Sequence, residues 1–162
     1  MIDMITEKSA GFILISDNFH TSDPSVLLLH YLSGHWDFPK GNIEFDETEM
    51  QAATRELKEE TGIEIFTLLP GFRHVLNYKY TKKSTLISKQ VTLFLALTSV
   101  NEVEISHEHI GYQWMEIIAA VNQLTYSNAK TALTSAINFL KDLIPKHKIE
   151  DSDTLHKDPT SP

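Results

Sequence analysis

The sequence contains no cysteine and few arginines. The absence of cysteine among its 162 residues excludes a disulfide scaffold and a zinc site with thiolate ligands. Arg55 and Arg73 are the only arginines, and the formal net charge is −8. Proteins that bind duplex nucleic acid usually carry a basic stripe, so we expect no duplex nucleic acid as a partner.

Long apolar runs are also absent. No stretch reaches the roughly 18 consecutive apolar residues of a membrane-spanning helix, and the N-terminus lacks a basic segment followed by an apolar one. We therefore expect a cytoplasmic protein with no membrane partner. Hydrophobic residues make up 41% of the chain, which is enough for one domain with its own core.

Negative charge is present in excess, and it is concentrated between Gly41 and Ile63. Two basic residues, Arg55 and Lys58, stand against seven acidic ones there, which leaves a net charge of −5. The acidic residues are Glu44, Asp46, Glu47, Glu49, Glu56, Glu59 and Glu60. Because like charges this close repel one another, the segment requires something that offsets its charge.

Helix-capping signals bracket the second half of this segment. Asp46 and Thr48 are candidate N-caps, and Gly62 is a natural stop. We therefore predict a helix from about Thr48 to Thr61.

Three glutamates share one side of the predicted helix. Glu56, Glu59 and Glu60 stand at i, i+3 and i+4, where each pair repels by roughly 3 kcal/mol at about 5 Å and an effective dielectric near 20. One interpretation is a solvated acidic face, because water and salt screen exposed charges. The other is a site for Mg²⁺ or Mn²⁺, since these hard cations prefer carboxylate oxygens and bridge phosphate oxygens.

The apolar pattern of the remaining chain predicts a layered α/β domain. Short β-rich runs alternate with turn residues, and apolar residues at i, i+3, i+4 and i+7 predict a helix after Ser127 and Asn128. Beyond Pro145 the chain is polar and charged, so we expect residues 146–162 to form a disordered tail after a domain of residues 1–145. The predicted strands are Gly11 to Ser16, Val26 to Tyr31, Phe66 to Tyr78 with a break at Pro70-Gly71, Val91 to Leu97, and Tyr112 to Met115.

The spacing of the acidic segment resembles a known signature. Gly41 is followed after five residues by Glu47, and after seven more by Arg-Glu-Leu-Lys-Glu-Glu-Thr-Gly-Ile, beginning at Arg55. This pattern resembles that of the Nudix hydrolases. The resemblance implies the α/β fold of that family, a Nudix-type α/β/α sandwich with a central mixed sheet. It also implies that Mg²⁺ or Mn²⁺ binds as two or more ions, and that Glu47 and Arg55 brace the loop before the helix.

Segments outside the signature narrow the resemblance to one branch of that family, the asymmetric diadenosine tetraphosphate hydrolases. These segments are His35 to Gly41, Gly71 to Arg73, Leu76 to Tyr78, Ser106 to His109, and Tyr112 to Trp114. The likeness implies a small-molecule partner, a dinucleoside polyphosphate, which the enzyme cleaves with water into ATP and AMP.

The same resemblance implies catalytic roles for two lysines and four carboxylates. Lys40 and Lys89 would hold phosphate oxygens and stabilise negative charge in the transition state, and His35 would add a hydrogen bond to the phosphate chain. Glu108 would be an added metal ligand or base across from the helix. The predicted metal ligands are Glu56, Glu59, Glu60 and Glu108.

The resemblance further implies that aromatic residues bind the nucleoside. Tyr78 and Tyr126 would sandwich an adenine and Tyr31 would contact the ligand, since stacking on an aromatic face contributes roughly 1 to 3 kcal/mol per base. The segment Lys79 to Ser88 is expected to be a long loop.

The histidines around Glu108 have a different expected role. On a strand, His107 and His109 point to one side and Glu108 to the other, so we interpret the two histidines as a hydrogen-bonding scaffold and not as metal ligands.

Two other functions are compatible with the same motifs. One is a Nudix pyrophosphohydrolase that acts on RNA 5′ triphosphate ends or on another nucleoside diphosphate derivative such as ADP-ribose. The other is a non-catalytic nucleotide-binding regulator with the same fold, because function depends on sites and not on folds. The presence of all three helix glutamates argues against the regulator.

Overall fold

The computed structural model describes residues 3–17 and 23–154, with residues 144–154 described by their backbone alone. In this part of the chain eight strands form one sheet, and three helices accompany it. The strands are β1 (Met4–Ser16), β2 (Ser25–Tyr31), β3 (Trp36–Asp37), β4 (Lys40–Asn42), β5 (Thr67–Leu68), β6 (His74–Lys82), β7 (Thr85–Thr98) and β8 (His109–Glu116). The helices are α1 (Glu49–Thr61), α2 (Ile117–Gln123) and α3 (Ser127–Thr154).

A long parallel pair forms the middle of the sheet. β1 and β7 run side by side from Met4↔Leu86 to Ser16↔Thr98. The other strand pairs of the described chain are antiparallel. The strands follow the order β3-β2-β1-β7-β5, while β4 pairs with β1, β6 with β7 and β8 with β2. The sheet is therefore mixed, as expected.

Alternate side chains of the central strands enter two separate cores. Phe12 and Leu14 of β1 pack on the side of α1, whereas Ile13 and Ile15 pack on the side of α2 and α3, because successive strand residues point to opposite faces. All four are buried, and each contributes about 1.5 to 3 kcal/mol of burial free energy. Helices on both faces of the sheet form the predicted α/β/α sandwich.

Local hydrogen bonds define both ends of α1. Thr48 is the N-cap: its side chain accepts a hydrogen bond from the backbone N–H of Gln51, and the Gln51 side chain accepts one from the backbone N–H of Thr48. Gly62 ends the helix in the left-handed conformation, at φ 76°. The predicted helix is confirmed, with Thr48 and not Asp46 as its cap.

The helix predicted after Ser127 and Asn128 is present as α3, which already begins at Ser127 and continues to Thr154. It therefore extends past Pro145, where we placed the domain boundary, while residues 155–162 lie outside the described residues. The backbone of residues 146–154 is helical, and the disorder of residues 155–162 stays a prediction. None of the described helices is long and apolar enough to cross a membrane.

The segment Lys79 to Ser88 is not the expected loop. β6 continues to Lys82 and β7 starts at Thr85, so the segment forms the end of a hairpin with a tight turn at Lys83 and Ser84, both at positive φ. The ladder places Tyr78 directly opposite Lys89.

Candidate active site

A cavity of about 550 Å³ lies beside α1 and collects the predicted metal ligands. We call it the carboxylate groove. Its lining includes Tyr31, Lys40, Glu56, Glu59, Glu60, Lys89 and Glu108. The helix supplies three of its carboxylates, and Glu108 comes from the segment that precedes β8. The fold therefore places all four acidic residues that were predicted to bind metal in the lining of one cavity.

Arg55 holds the loop and the helix together. Its guanidinium donates to both carboxylate oxygens of Glu47, at 2.7 and 2.9 Å, and to the carbonyl of Asn42 at 2.9 Å. Its Nη1 donates to Glu56 at 2.8 Å and to Glu59 at 3.1 Å. The hydrogen bonds from Arg55 hold the pKa of Glu47 at about 2, and hydrogen bonds to Glu47 and Glu56 raise the pKa of Arg55. The expected brace between Glu47 and Arg55 is present.

Glu60 is the most buried of the three helix glutamates. Its side chain is 4% exposed, compared with 14% for Glu56 and 57% for Glu59, so the three do not form one evenly solvated face. Glu60 Oε2 accepts a hydrogen bond of 3.0 Å from the backbone N–H of Lys40. Burial, followed by repulsion from Glu56, raises the pKa of Glu60 to about 8. Burial also raises the pKa of Glu56.

Gly41 leaves room for the carboxylate of Glu56. A Cβ atom at this position would lie 2.0 Å from the Cδ atom of Glu56 and 2.2 to 2.3 Å from its two carboxylate oxygens. Such distances are far below van der Waals contact, so a side chain at position 41 would displace Glu56. The glycine of the sequence signature is thus explained by this close approach.

The donor chemistry of the groove fits a divalent metal. The four carboxylates line the groove without converging, and no three His, Asp or Glu side chains in the described chain are arranged to hold an ion between them. Glu56 and Glu59 instead share the Nη1 atom of Arg55. Burial is the main cause of the raised pKa of Glu60, and repulsion from Glu56 adds to it, so neighbouring carboxylates do act on one another in the groove. Hard oxygen donors of this kind suit Mg²⁺ or Mn²⁺.

A second cavity, of about 520 Å³, adjoins the groove. We call it the aromatic cavity. Its lining includes His35, Asp37, Lys40, Tyr78, Tyr126 and Asn128. Tyr78 and Tyr126 are 37% and 54% exposed, so both side chains are accessible to a ligand. The His35 ring lies 5.5 Å from Tyr126 and stacks on Tyr31 at 4.5 Å. The cavity therefore contains the predicted base-stacking residues.

The two predicted phosphate-binding lysines are both partly enclosed. Lys40 lines both cavities, and its Nζ lies 3.7 Å from Asp37 Oδ2. Burial acts to lower the pKa of Lys40, but Asp37, Tyr78 and Glu60 together outweigh burial and the net pKa is raised, so Lys40 is charged. Lys89 Nζ donates to Asn42 Oδ1 at 2.6 Å and to Glu7 Oε2 at 3.2 Å, while burial lowers its pKa.

Residues 7–136 of this chain match the family described as NUDIX domain. The chain belongs to the NUDIX family. The helix α1 is thus the Nudix helix of this protein, and the carboxylate groove lies along it.

Two relatives and one solved structure have names that describe the same activity. The asymmetrical bis(5′-nucleosyl)-tetraphosphatase of Rattus norvegicus is 38% identical over 120 residues, which cover 70% of this chain and 79% of the relative. The protein of that name from Caenorhabditis elegans is 32% identical over 136 residues, covering 82% of this chain and 96% of the relative. The crystal structure of a C. elegans Ap4A hydrolase binary complex matches with a TM-score of 0.70 at 29% identity, covering 84% of this chain and 98% of the other.

One part of the Nudix site differs from the expectation. His107 and Glu108 lie in a turn and β8 begins only at His109, so the strand alternation that we expected for these residues is wrong. His109 is buried and its Nδ1 pairs with Ser106 Oγ at 3.0 Å, which agrees with a scaffold role, whereas the exposed His107 lines the carboxylate groove.

Sequence reasoning missed two partners of Lys89. Glu7 comes from β1, which the sequence did not mark as part of the site, and Asn42 comes from β4, inside the Gly41 to Ile63 segment but with no role assigned to it. Glu7 faces Lys89 in the parallel register of β1 and β7. The order of the strands is the signal that would have found Glu7, and periodicity alone does not supply that order.

Proposed function

We propose that this protein is a metal-dependent hydrolase of dinucleoside polyphosphates that cleaves diadenosine tetraphosphate with water to ATP and AMP. The reaction breaks the bridging bond between the first and second phosphates and transfers the oxygen of water to phosphorus. Support comes from the relatives above, which carry the name of this activity and align over most of their own length.

One observation carries the proposal: Lys40 lines both cavities. A substrate with a base at one end and a chain of phosphates would place the base in the aromatic cavity and pass its phosphates over Lys40 into the carboxylate groove. The volumes of about 520 and 550 Å³ suit a ligand of this class, which is larger than a mononucleotide. An extended substrate accounts for both cavities.

The proposed metal is Mg²⁺ or Mn²⁺, bound as two or more ions by Glu56, Glu59, Glu60 and Glu108. When bound, such ions neutralise phosphate charge and lower the pKa of water for attack. The protein's own contribution is to hold these carboxylates on one side of the phosphate chain, with Arg55 and the Lys40 amide restraining the helix glutamates. Glu108 is either a metal ligand or the base that accepts a proton from water.

The lysines and aromatic residues bind the rest of the substrate in this proposal. Lys40 and Lys89 hold phosphate oxygens and stabilise the charge that develops in the transition state. His35 donates a hydrogen bond to the phosphate chain. Tyr78 and Tyr126 enclose the adenine, and Tyr31 supports the ligand next to His35, on which its ring stacks.

A product-resolved comparison tests the proposal. The full-length protein is incubated with Mg²⁺ and, in parallel, with diadenosine tetraphosphate, ADP-ribose, nucleoside triphosphates and triphosphorylated RNA, and products are separated by chromatography. We expect diadenosine tetraphosphate to give ATP and AMP in equal amounts, and to react faster than the others. Formation of two ADP, no turnover, or faster hydrolysis of RNA ends would reject the proposed substrate. The cytoplasmic location stays a prediction.

A further inference from the structure

His109 carries an unusual unsatisfied atom. Among the described residues, its Nε2 is the one buried side-chain nitrogen or oxygen with no hydrogen-bond partner. The His109 side chain is 0% exposed, so bulk water does not reach this atom. Because buried polar groups are nearly always paired, an orphaned nitrogen at this depth requires a reason.

The other contacts of the ring fix where Nε2 points. Nδ1 lies 3.0 Å from Ser106 Oγ, and the ring packs edge-on against Tyr31 at 4.5 Å. Ser106 Oγ accepts from the backbone N–H of Glu108 at 3.4 Å, so its own hydrogen is available for donation to Nδ1. This pattern assigns the ring proton of a neutral His109 to Nε2.

Nε2 faces the least satisfied side of Glu60. The distance from His109 Nε2 to Glu60 Oε1 is 3.8 Å, while the second oxygen, Oε2, already accepts from the amide of Lys40. The turn that carries His109 is also tied to the helix backbone, since the N–H of Ser106 donates to the carbonyl of Glu60 at 3.3 Å. A shift of about 0.8 Å would bring Nε2 and Oε1 to hydrogen-bond distance.

We propose that His109 is a positioning residue for Glu60: its Nε2–H binds Oε1 and fixes the carboxylate between two donors, with its remaining lone pairs directed at the groove. The inference rests on the proposed function because it takes Glu60 as a metal ligand. Partners of this kind commonly change metal affinity by roughly 10- to 100-fold, because they set the orientation of the ligand. Ser106 in turn orients the ring of His109.

Two substitutions at one position separate this role from simple packing. The amide nitrogen of Gln reaches the place of Nε2, whereas the shorter Asn reaches only the place of Nδ1. We measure Mn²⁺ binding to the metal-free protein by electron paramagnetic resonance, and kcat and KM for diadenosine tetraphosphate separately. His109→Asn is expected to weaken Mn²⁺ binding by roughly 10-fold or more and to lower kcat more than it raises KM. His109→Gln is expected to restore most of both quantities.

The matched control is His74→Asn, which changes a partly buried histidine that stacks on Phe72 outside both cavities. It should leave Mn²⁺ binding and kcat unchanged. Wild-type affinity for Mn²⁺ in His109→Asn, or equal losses in the Asn and Gln variants, would overturn the positioning role. If the wild type binds Mn²⁺ in a His109-dependent way but does not cleave diadenosine tetraphosphate, the proposed substrate is wrong and the inference about His109 stands.

Discussion

The carboxylate groove and the aromatic cavity meet at Lys40, yet they are held together by different forces. In the groove, charged hydrogen bonds of 2.7 to 3.1 Å link Arg55 to three glutamates. In the aromatic cavity, ring contacts of 4.5 to 5.5 Å connect His35 to its neighbours, and the two tyrosines expected to enclose the base are more than a third exposed. Charged hydrogen bonds therefore organise the groove, whereas partly exposed aromatic rings line the cavity. Changes in the first should affect rate, and changes in the second should affect substrate affinity.

The largest effect is expected for the helix glutamates. Glu59→Gln or Glu60→Gln should lower metal-dependent kcat by about 10³-fold or more, because each removes a full charge from the proposed metal site. Steady-state kinetics with Mg²⁺ measure this, and circular dichroism checks that the fold is intact. The control is Glu64→Gln, which removes only an exposed pair with Lys58 at 2.9 Å and should be neutral. Near-normal turnover in either helix variant would reject its assignment as a metal ligand.

The second-largest effect on rate is expected at Gly41. In Gly41→Ala the new Cβ would collide with the carboxylate of Glu56, and a displacement of about 1 Å at a catalytic group costs on the order of 10²-fold in rate. Gly111→Ala is the matched control, since its Cβ would meet nothing closer than His30 Cβ at 4.0 Å. Equal kcat values for the two variants would show that the groove tolerates more movement than its hydrogen bonds indicate.

In the aromatic cavity the expected effect is on binding. Tyr78→Ala should raise KM for diadenosine tetraphosphate by roughly 10-fold with a smaller change in kcat, because loss of stacking removes about 1 to 3 kcal/mol per base. Tyr112→Ala is the control: Tyr112 is similarly exposed, at 40%, but lines neither cavity. An unchanged KM in Tyr78→Ala would place the base elsewhere.

The smallest effect concerns the pH dependence of stability without metal. The pKa of Glu60 is raised from 4.5 to about 8, so between these values the folded protein holds a proton that the unfolded chain has released. Stability should therefore fall as pH rises through this window. We expect the wild-type melting temperature in EDTA to fall by the order of 5 °C more than that of Glu60→Gln between pH 5 and pH 8. The same change in melting temperature for the wild type and Glu60→Gln across this pH range would contradict the raised pKa of Glu60.

The groove was more accessible to sequence analysis than the cavity because its signals are local. The cap at Thr48, the stop at Gly62 and the three glutamates lie within fifteen consecutive positions, so helix periodicity is enough to place them. The contact between Glu7 and Lys89 joins positions 82 apart and depends on the parallel register of β1 and β7. No local sequence pattern predicts that register.

Short elements escaped prediction for a different reason. β4 (Lys40–Asn42) has three residues and α2 (Ile117–Gln123) has seven, which is too few for a clear hydrophobic period. The hairpin end from Lys79 to Ser88 is polar, and its turn places Lys83 and Ser84 at positive φ without a glycine that would mark it. These elements are stabilised by their neighbours in the sheet, and only tertiary structure reveals them.

The parallel pairing of β1 and β7 also has a consequence for how the protein is made. β1 ends at Ser16, but its partner is complete only when Thr98 has been synthesised, so the middle of the sheet has an open edge during translation. At about 5 to 20 residues per second, the chain between Ser16 and Thr98 takes roughly 4 to 16 s to be synthesised. Contacts this distant in sequence also slow folding after synthesis. The edge of β1 that later pairs with β7 is therefore exposed to aggregation until β7 has been synthesised.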